Sequence, residues 1–578
     1  MSRLSTFPSR DALRRLPFGL IDVAVLVVVL VGLYAIVRVG RGMAVSFAPT
    51  GVTSISTDPE HLPYYAARSL LRMFAALGLS VLFTLSYGYL AARSRRWEKV
   101  LIPALDILQS VPVLAFLTVV VTGFIALFPG SSLGLELASI FAIFTSQVWN
   151  MTFSFYYSVR SLPRELDEAS RMLRLTRWQR YWKIEVPYST VGLVWNGMMS
   201  FGGGWFFLAA SEAISVLNKN YALPGIGSYV AAAVDAGDLG KVGLAIVTMV
   251  VMVVAVNVLF WRPLTAWAER YKLEESEAAE RQRSLVLELL HRSSWPRTAG
   301  RARRALAEPL GRAMAVLGRD GTTPLVASSS VARRRGDAAF AVLVGVPIAY
   351  GLYRMASYLG TDGAREFAEA MGLGAITFAR VIVLIVVSTL VWVPIGVWIG
   401  FNPRAARLAQ PVVQVLASFP ANFLFPFATL AFIHFGISLD VGGILLMSLG
   451  AQWYILFNTI AGAMAVPTDL REAAALAGLR GRQLWRRLII PGILPAYVTG
   501  GITASGGAWN ASIVSEIVTY GGTTLTATGL GAYIAKASEI GDFHQILPGL
   551  AAMSIYVVAL NRLFWRRLYR LAETRYAL

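Results

Sequence analysis

The chain has 578 residues, of which 56% are hydrophobic and 15% charged, and its mean hydropathy is +0.59. These values exclude an ordinary soluble domain and predict an all-α integral membrane protein. A formal charge of +19 would suit a nucleic-acid partner, but in a membrane protein it indicates Lys and Arg on cytoplasmic loops, so no nucleic acid is expected. The lack of cysteine excludes disulfides and thiolate ligands, and the four histidines lie too far apart in sequence to suggest a metal site.

A span needs about 20 apolar residues to cross a bilayer, and apolar runs of at least this length recur along the chain in two groups of six. The first group lies at 16–37, 64–92, 101–128, 135–159, 188–217 and 239–261. The second group lies at 338–359, 375–401, 408–435, 441–464, 493–518 and 546–565. The run at 16–37 could be a signal peptide, but no clear small-residue cleavage site follows it, so we interpret it as the first membrane span.

A polar segment separates the two groups. The sequence therefore predicts a first six-helix domain at 1–268, a linker at 269–337 and a second six-helix domain at 338–578. We interpret the linker as a solvated tether, with short amphipathic helices on the membrane surface as the alternative. Lys and Arg collect in the loops after the second, fourth and sixth spans. The positive-inside rule therefore places the N-terminus, the linker and the C-terminus in the cytoplasm.

The second half of the chain repeats the first. Identical residues recur at a constant offset of 304 residues, from Pro163 and Pro467 to Arg262 and Arg566, without a gap. This pattern indicates a tandem duplication whose halves share one orientation, because each half contains an even number of spans. We therefore expect a pseudo-twofold axis along the membrane normal, with a pathway between the halves.

Each half contains one polar, Arg-rich segment between apolar spans, at 163–187 and at 467–491. In the second copy, apolar residues recur at helical spacing from Leu470 to Ala477, and Gly478 suits a left-handed turn. A second short helix is expected to end at Pro491. The pattern alone is also compatible with an ordinary amphipathic loop at the membrane interface.

Both segments resemble the EAA loop of ABC importer permeases, whose signature is E-A-A, then G, then I-x-L-P. The second EAA segment (467–491) has E-A-A at 472–474, G at 478 and I-P at 490–491. The first EAA segment (163–187) keeps this spacing but has Arg174 in place of the glycine. In that family the loop forms a coupling helix that docks into an ATPase. The resemblance thus assigns ATPase coupling to Glu168, Ala169, Arg174, Leu175, Glu472, Ala473, Ala474 and Gly478.

The replacement of glycine by Arg174 has an energetic consequence. A non-Gly residue in the left-handed region costs on the order of 1 kcal/mol, so we expect the first EAA segment to turn differently or to dock less typically. The two docking sites are therefore expected to be unequal.

Two later motifs indicate a particular class within this family. Ser211-Glu212 followed by Gly225-Ile226-Gly227, and the matching residues of the second half, are similar to permeases of the nitrate/sulfonate/taurine/bicarbonate class. This similarity implies two fused type I permease domains, about 12 transmembrane helices, in the bacterial cytoplasmic (inner) membrane. It also implies two cytoplasmic ABC ATPase subunits, an extracytoplasmic substrate-binding protein, and a small anion such as nitrate, a sulfonate, taurine or bicarbonate as the substrate.

The chain itself is not expected to be an enzyme or to hold a cofactor. It contains no G-x-x-x-x-G-K-[ST] loop, the glycine-rich loop that cradles nucleotide phosphates. ATP and Mg²⁺ are therefore assigned to the partner ATPase.

Polar groups inside apolar spans indicate where a pathway could lie, because they usually face a cavity or a partner. Glu212 and Glu516 are interpreted either as gate or pathway elements, or as carboxylates that hydrogen-bond a loop at the outer membrane face. Pro112 and Pro420 in the third spans predict kinks, with carbonyls that line a cavity as the alternative. The candidate pathway residues are Trp205, Ser211, Glu212, Trp509, Ser515, Glu516, Gln147, Asn150, Gln452 and Asn458.

Two other functional classes are alternatives to the importer. In a proton- or ion-coupled secondary transporter, Glu212 and Glu516 would carry protons, and parallel repeats also occur in that class. Two matched EAA segments favour the importer, since a secondary transporter has no need of them. A membrane-bound enzyme would need a catalytic cluster at one membrane face, and the sequence suggests none.

Overall fold

The computed structural model describes residues 30, 34, 37–43, 55–109, 111–173, 175–216, 219–271, 330–360 and 362–575. Most of the predicted first span (16–37), Arg174 and the linker residues 272–329 lie outside this part of the chain. Helices dominate the described residues, and two short antiparallel hairpins accompany them. The predicted all-α membrane fold is therefore confirmed.

The helices of the first half begin after the 3₁₀ turn Pro59–His61. They are α1 Leu62–Phe83, α2 Tyr89–Arg93, α3 Arg95–Leu108, α4 Val113–Leu127, α5 Leu133–Arg160, α6 Arg164–Met172, α7 Arg177–Arg180, α8 Val186–Glu212, α9 Ile226–Asp235, α10 Leu239–Val256 and α11 Arg262–Ala268, followed by the 3₁₀ turn Glu269–Tyr271. Single π-helical turns lie at Thr84–Gly88, Tyr181–Glu185 and Asn257–Trp261. The hairpin strands β1 Ala213–Val216 and β2 Lys219–Ala222 follow α8 directly, with Ala213 opposite Ala222.

The second half repeats this order with small changes. Its helices are α12 Ser330–Leu359, α13 Asp362–Phe401, α14 Pro403–Ser418, α15 Phe425–Phe435, α16 Leu439–Ala465, α17 Thr468–Leu476, α18 Gly481–Leu484, α19 Ile490–Ser515, α20 Leu530–Ile540, α21 Phe543–Leu560 and α22 Arg566–Arg575. A 3₁₀ turn lies at Ala421–Leu424, and π-helical turns lie at Trp485–Ile489 and Asn561–Trp565. The strands β3 Ile517–Tyr520 and β4 Thr523–Thr526 pair with Ile517 opposite Thr526.

The duplication predicted from residue identities is also visible in the secondary structure. Each hairpin, the EAA helices α6 and α17, and the π-helical turns that precede Pro187 and Pro491 all recur at the offset of 304 residues. The pseudo-twofold axis stays a prediction.

The chain forms two compact units. The smaller unit comprises Met1–Gly42, Ser158–Trp195 and Ala255–Val326, and it contains the first EAA segment. The larger unit comprises Met43–Tyr157, Asn196–Val254 and Ala327–Leu578, and it contains the second EAA segment. The domain boundaries at 268/269 and 337/338 stay predictions.

The described helices account for the predicted spans beyond the first. Six helices are long and apolar enough to cross a membrane, and the total rises to eight when each of two bent helix pairs counts as one span. The helices α5, α8 and α12 contain 28, 27 and 30 residues, so each reaches about 40 Å, longer than the hydrocarbon core. Together these elements correspond to eleven of the twelve predicted spans.

The third span of each half is broken rather than kinked. The axes of α3 and α4 differ by 103°, and those of α14 and α15 differ by 84°. The breaks fall at Pro112 and Pro420, where the chain leaves the helical conformation because proline lacks an N–H and restricts the preceding residue. The interpretation of these prolines as simple kinks was therefore wrong.

The sequence predicted that a short helix ends at Pro491, and this prediction was wrong. The helix runs on from α18 through the π-helical turn Trp485–Ile489 into α19, so that Gly481–Ser515 is one continuous element of 35 residues. In the π-helical turn the Ile490 N–H donates to the Trp485 carbonyl, five residues back. This wider turn accommodates the missing N–H of the proline without breaking the helix.

The core of the larger unit packs bulky aromatic rings against glycine. Trp565 is 1% exposed, and its ring lies against Gly501 of α19. A Cβ added at Gly501 would overlap the Trp565 ring, so the glycine sets how closely α19 approaches the last span.

We expect Gly501→Ala to destabilise the protein by about 1–3 kcal/mol, because the added methyl group must displace a fully buried ring. Thermal unfolding in lipid nanodiscs measures the effect. Gly372→Ala is the matched control, since a Cβ at this α13 position meets no atom within 4 Å. Equal melting temperatures for the two variants would show that α19 can move away from Trp565 at little cost.

Candidate functional site

The second EAA segment folds as a helix, a glycine turn and a second helix. Helix α17 ends before Gly478, whose φ of +68° is in the left-handed region that favours glycine. The Gly478 N–H donates to the Ala475 carbonyl at 3.0 Å, and the Leu479 N–H donates to the Ala474 carbonyl at 2.9 Å. The predicted left-handed glycine turn is therefore confirmed. Glu472 and Ala473 are exposed, whereas Ala474 is buried.

The first EAA segment closes with the same backbone bond. The Leu175 N–H donates to the Ser170 carbonyl at 3.0 Å, which corresponds to the bond from Leu479 to Ala474 in the second segment. Glu168 is exposed and Ala169 is half-buried. Arg174 lies outside the described residues, so the expected effect of losing the glycine stays a prediction.

Both EAA helices end in a highly exposed apolar side chain. Met172 is 84% exposed and Leu476 is 90% exposed, and the two occupy the same position of the repeat. A large apolar side chain standing free on a polar segment is suited to a pocket on a partner protein.

Glu212 lies at the end of its helix and is fully buried. The helix ends before the predicted span 188–217 does, because the chain leaves the helical conformation after this residue and continues as strand β1. Its carboxylate accepts hydrogen bonds from Ser69 Oγ at 2.6 Å, Arg72 Nη1 at 2.6 Å and the Gly227 N–H at 2.7 Å. The carboxylate thus joins α1, α8 and the start of α9.

Arg72 connects this carboxylate to a second one. Its Nε donates to Glu136 Oε2 at 2.6 Å, and Arg68 also pairs with Glu136. All four side chains, including Glu212, are at most 2% exposed. Two positive and two negative charges are therefore buried together, and the cluster is electrically balanced.

The second half has the same arrangement. Glu516 accepts hydrogen bonds from Thr377 Oγ1 at 2.8 Å, Arg380 Nη1 at 2.9 Å and the Gly531 N–H at 2.7 Å. Arg380 Nη2 also donates to Asp440 Oδ1 at 2.6 Å. Asp440 is 49% exposed, unlike its fully buried counterpart Glu136. The second cluster is thus partly open to its surroundings.

The glycines that follow each carboxylate are explained by this contact. A Cβ at Gly225 would overlap the Glu212 carboxylate, and a Cβ at Gly529 would overlap the Glu516 carboxylate. The G-x-G sequences of 225–227 and 529–531 therefore let backbone N–H groups approach a buried carboxylate closely. Glu212 and Glu516 were interpreted either as gate or pathway elements or as carboxylates that hydrogen-bond a loop. The described geometry favours the second interpretation.

The arginines and the second carboxylates were missed by the sequence analysis. A signal was present, since Glu136 and Asp440 are separated by the repeat offset of 304 residues. Arg72 and Arg380 are charged residues inside apolar runs, but they are 308 residues apart and so fall outside the constant offset. A search for ionisable residues in each span, independent of the offset, would have found them.

A polar cavity of about 300 Å³ lies among the membrane helices of the larger unit. Asn150, Asn458 and Trp509, predicted as pathway residues, line it, and so does the helix break at Gln109 and Val111. Further hydroxyl and amide groups lie on its wall: Thr145, Ser146, Asn196, Ser200, Thr499, Thr503, Ser505, Asn510 and Asn561. The described residues of this wall include no Asp, Glu, Lys, Arg or His. The cavity therefore offers hydrogen bonds without a fixed charge.

The other predicted pathway residues lie away from this wall. Gln452 accepts a hydrogen bond from Trp392 at 2.8 Å, and the Ser211 hydroxyl is 2.7 Å from that of Ser139. Gln147 is fully buried beside Gly204. Trp205 and Ser515 are buried as well.

One hydrogen bond at the cavity joins residues of the two halves. The N–H of Val113, the first residue of α4, donates to Asn510 Oδ1 at 2.9 Å. This donor belongs to the first turn of a helix, where N–H groups lack partners within the helix. Asn510, a residue of the second half, therefore caps the N-terminus of α4, which belongs to the broken span of the first half.

Helical spans surround a cavity that carries amide and hydroxyl groups on its wall, and one continuous helix joins this wall to the second EAA segment. These features are typical of a membrane-spanning transport component. The chain belongs to the family of binding-protein-dependent transport system inner membrane components, whose pattern matches residues 84–263 and again 392–577. Each match lies within one of the predicted six-helix domains, so the tandem permease architecture is confirmed.

Individual relatives match at a lower level. The taurine transport system permease TauC of Escherichia coli is 26% identical over 36% of this chain and 72% of its own length. The nitrate import permease NrtB of Synechocystis is 27% identical over 33% of this chain and 67% of its own length. The glycine betaine/proline betaine permease ProW of Salmonella typhimurium is 25% identical over 37% of this chain. The matched region covers only 57% of the length of ProW.

We expect Arg380→Met to destabilise the protein by about 3–5 kcal/mol, because it leaves the buried Glu516 carboxylate without its cation. The double variant Arg380→Met/Glu516→Gln should recover part of this loss, since no buried carboxylate is left without a cation and Asp440, which also loses Arg380, is half-exposed. Thermal unfolding in lipid nanodiscs measures both variants. The surface control is Arg562→Met, whose half-exposed pair with Asp106 at 4.0 Å contributes at most about 1 kcal/mol. A double variant no more stable than the single one would contradict the charge-pairing account.

Proposed function

We propose that this chain is the complete transmembrane permease of an ATP-driven ABC importer. The polar cavity forms part of the substrate path, and the two EAA segments receive the movement of two cytoplasmic ATPase subunits. An extracytoplasmic binding protein delivers the substrate. The N-terminus, linker and C-terminus lie on the cytoplasmic side of the bacterial inner membrane, as the distribution of Lys and Arg suggests.

One observation carries this proposal. The continuous helical element Gly481–Ser515 begins in the second EAA segment and contributes Thr499, Thr503, Ser505 and Trp509 to the cavity wall. A displacement of the EAA end therefore moves cavity-lining side chains without an intervening hinge. This is a direct mechanical connection between a docked ATPase and the substrate path.

We propose a small anion, of the size of nitrate, bicarbonate or a short sulfonate, as the substrate. The relatives named for taurine and nitrate transport support this class. The cavity wall supports passage rather than tight binding, because amides and hydroxyls can replace part of a hydration shell but provide no opposite charge that would hold the ion. Selectivity would then belong mainly to the binding protein.

The ATP-hydrolysing site belongs to the partner subunits in this proposal. The exposed Met172 and Leu476 are suited to enter apolar pockets on the ATPases, and the adjacent Glu168 and Glu472 provide polar contacts at the rim. Mg²⁺ and ATP would bind to those subunits alone.

Proton coupling through Glu212 and Glu516 receives no support from the geometry. Each carboxylate accepts a hydrogen bond from an arginine and another from a backbone N–H, and both are enclosed by protein. A proton carrier must instead exchange with water on each side of the membrane in turn.

We expect Glu472→Ala combined with Gly478→Val to lower the affinity for the partner ATPase about tenfold, the effect of losing about 1.4 kcal/mol of contact energy. Valine is strongly disfavoured at a φ of +68°, so the turn that presents the helix is lost as well. ATPase binding and substrate-stimulated ATP hydrolysis in lipid vesicles are the measurements.

The matched control is Thr468→Ala, an exposed position at the start of the same helix. Normal ATPase binding and transport by the double variant would refute coupling through the second EAA segment. A comparison of Glu168→Ala with Glu472→Ala tests the expected inequality of the two docking sites, which equal losses would disprove.

A further inference from the structure

The first EAA segment is held in place by charged groups. Arg180 of α7 pairs with Asp167 of α6, and its Nε also donates to Glu185 Oε1 at 2.9 Å. The side chains of Asp167 and Arg180 are 27% and 20% exposed, whereas Glu185 is almost fully buried at 1%. One arginine thus ties the EAA helix to the π-helical turn that leads into the next span.

A further cation faces the same carboxylate. Arg171 Nη2 lies 2.8 Å from Asp167 Oδ2, but the Arg171 side chain is 76% exposed. An exposed pair within one helix contributes little and does not connect the helix to another element. Arg180, unlike Arg171, contacts carboxylates on both α6 and the π-helical turn Tyr181–Glu185.

The second EAA segment is held by different chemistry at the same positions of the repeat. Arg471, Leu484 and Ile489 replace Asp167, Arg180 and Glu185. Leu484 and Ile489 pack in an apolar cluster with Val397, Ala463 and Ile493. The Arg471 guanidinium lies 5.1 Å from the centre of the Phe401 ring. Apolar packing and a cation–π contact here take the place of the ion pairs.

We propose that Arg180 is a positioning residue that fixes the first EAA helix through an ionic triad with Asp167 and Glu185. As a result, dissolved salt loosens the first EAA helix and leaves the second unchanged. The consequence for transport, two ATPase docking sites with unequal salt dependence, rests on the proposed function. The salt response of the helix itself does not.

The physical basis is the different effect of ions on the two kinds of contact. The screening length falls from about 10 Å at 0.1 M to about 3 Å at 1 M salt. The partly exposed pair of Arg180 with Asp167 therefore weakens over this range, whereas the pair with the buried Glu185 is screened less. Apolar contacts do not weaken as simple salt is added. The two segments, although built on one repeat, should therefore separate in their behaviour as KCl rises.

The lack of cysteine in the chain allows a direct test on the full-length protein in lipid nanodiscs, without any ATPase. Met172→Cys and Leu476→Cys each place one nitroxide spin label at matched, highly exposed positions of the two EAA helices. Spectra recorded between about 0.05 M and about 1 M KCl measure the ratio of mobile to immobile label over the range in which screening changes most.

For Met172→Cys we expect this ratio to rise about two- to fivefold across the salt range, as for the loss of a partly exposed ion pair. For Leu476→Cys we expect no change. Arg180→Gln should raise the ratio at position 172 at low salt and remove its salt dependence. The inverted triad Asp167→Lys/Arg180→Glu/Glu185→Lys should restore both, because it re-forms the pairs with exchanged signs.

One further variant keeps the test decisive. Arg180→Leu with Glu185→Ile gives the first segment the residues of the second at two of the three triad positions. The spectrum at 172 should then not change with salt, because neither ion pair of Arg180 can form. A variant that unfolds the chain would be recognised by a changed spectrum of the label at position 476, and the proposal is then judged on the inverted triad. Equal salt responses at 172 and 476, or an Arg180→Gln spectrum identical to that of the parent, would overturn the proposal.

A second experiment separates this inference from the proposed function. The parent chain and Arg180→Gln are compared for binding of the partner ATPase at low salt. Weaker binding by Arg180→Gln supports the link between the triad and docking. If no ATPase binds to either protein, the proposed function fails, while the spin-label spectra still decide whether the triad holds the helix.

Discussion

The buried pairing of Arg72 with Glu212, and of Arg380 with Glu516, is the interaction on which most of the described architecture depends. Each pair lies where a span ends and a hairpin begins, and each brings three separate elements to one point. In a low-dielectric interior the attraction between such charges is large, but so is the penalty for removing them from water. The clusters are therefore tolerable only because every carboxylate also receives hydroxyl and backbone donors.

Several other features depend on these two points of attachment. The backbone N–H groups of α9 and α20 can reach a carboxylate only where glycine removes the side chain, and this places both helices beside the hairpins. The hairpins in turn extend directly from α8 and α19. The spans that line the cavity are thus anchored at one end by a charge cluster, while their other ends lead back to the EAA segments.

Much of the fold could be predicted from the sequence, because its strongest signals are local. Apolar runs of 20 to 30 residues predicted the spans, the identities at a fixed offset predicted the duplication, and Gly478 predicted the turn of the second EAA segment. Pro491 was misinterpreted because its effect depends on a π-helical turn that the local sequence does not indicate. The 84° and 103° breaks in the third spans were also missed, because a proline in an apolar run is compatible with a kink as well as with a break.

The candidate site was harder to predict, since it depends on contacts between distant parts of the chain. Glu212 and Glu516 were identified, but their arginine partners lie on helices 140 and 136 residues away. The neutral cavity wall collects residues from many spans, most of them single Asn, Ser or Thr residues that are not distinctive alone. Asn150 and Asn458 were predicted, whereas Asn196, Asn510 and Asn561, which are carboxamides in similar apolar runs, were not.

The hydrogen bond between Asn510 and Val113 has an evolutionary consequence. The residue of the first half that corresponds to Asn510 is Phe206, which lies beside Ser418 and Phe419 near the second break and has no carboxamide to offer. Two copies of the first half could not make this cap, because each would offer Phe206 in place of Asn510. The halves have therefore diverged at this contact, and the broken span of the first half depends on the second half for the acceptor of its first N–H.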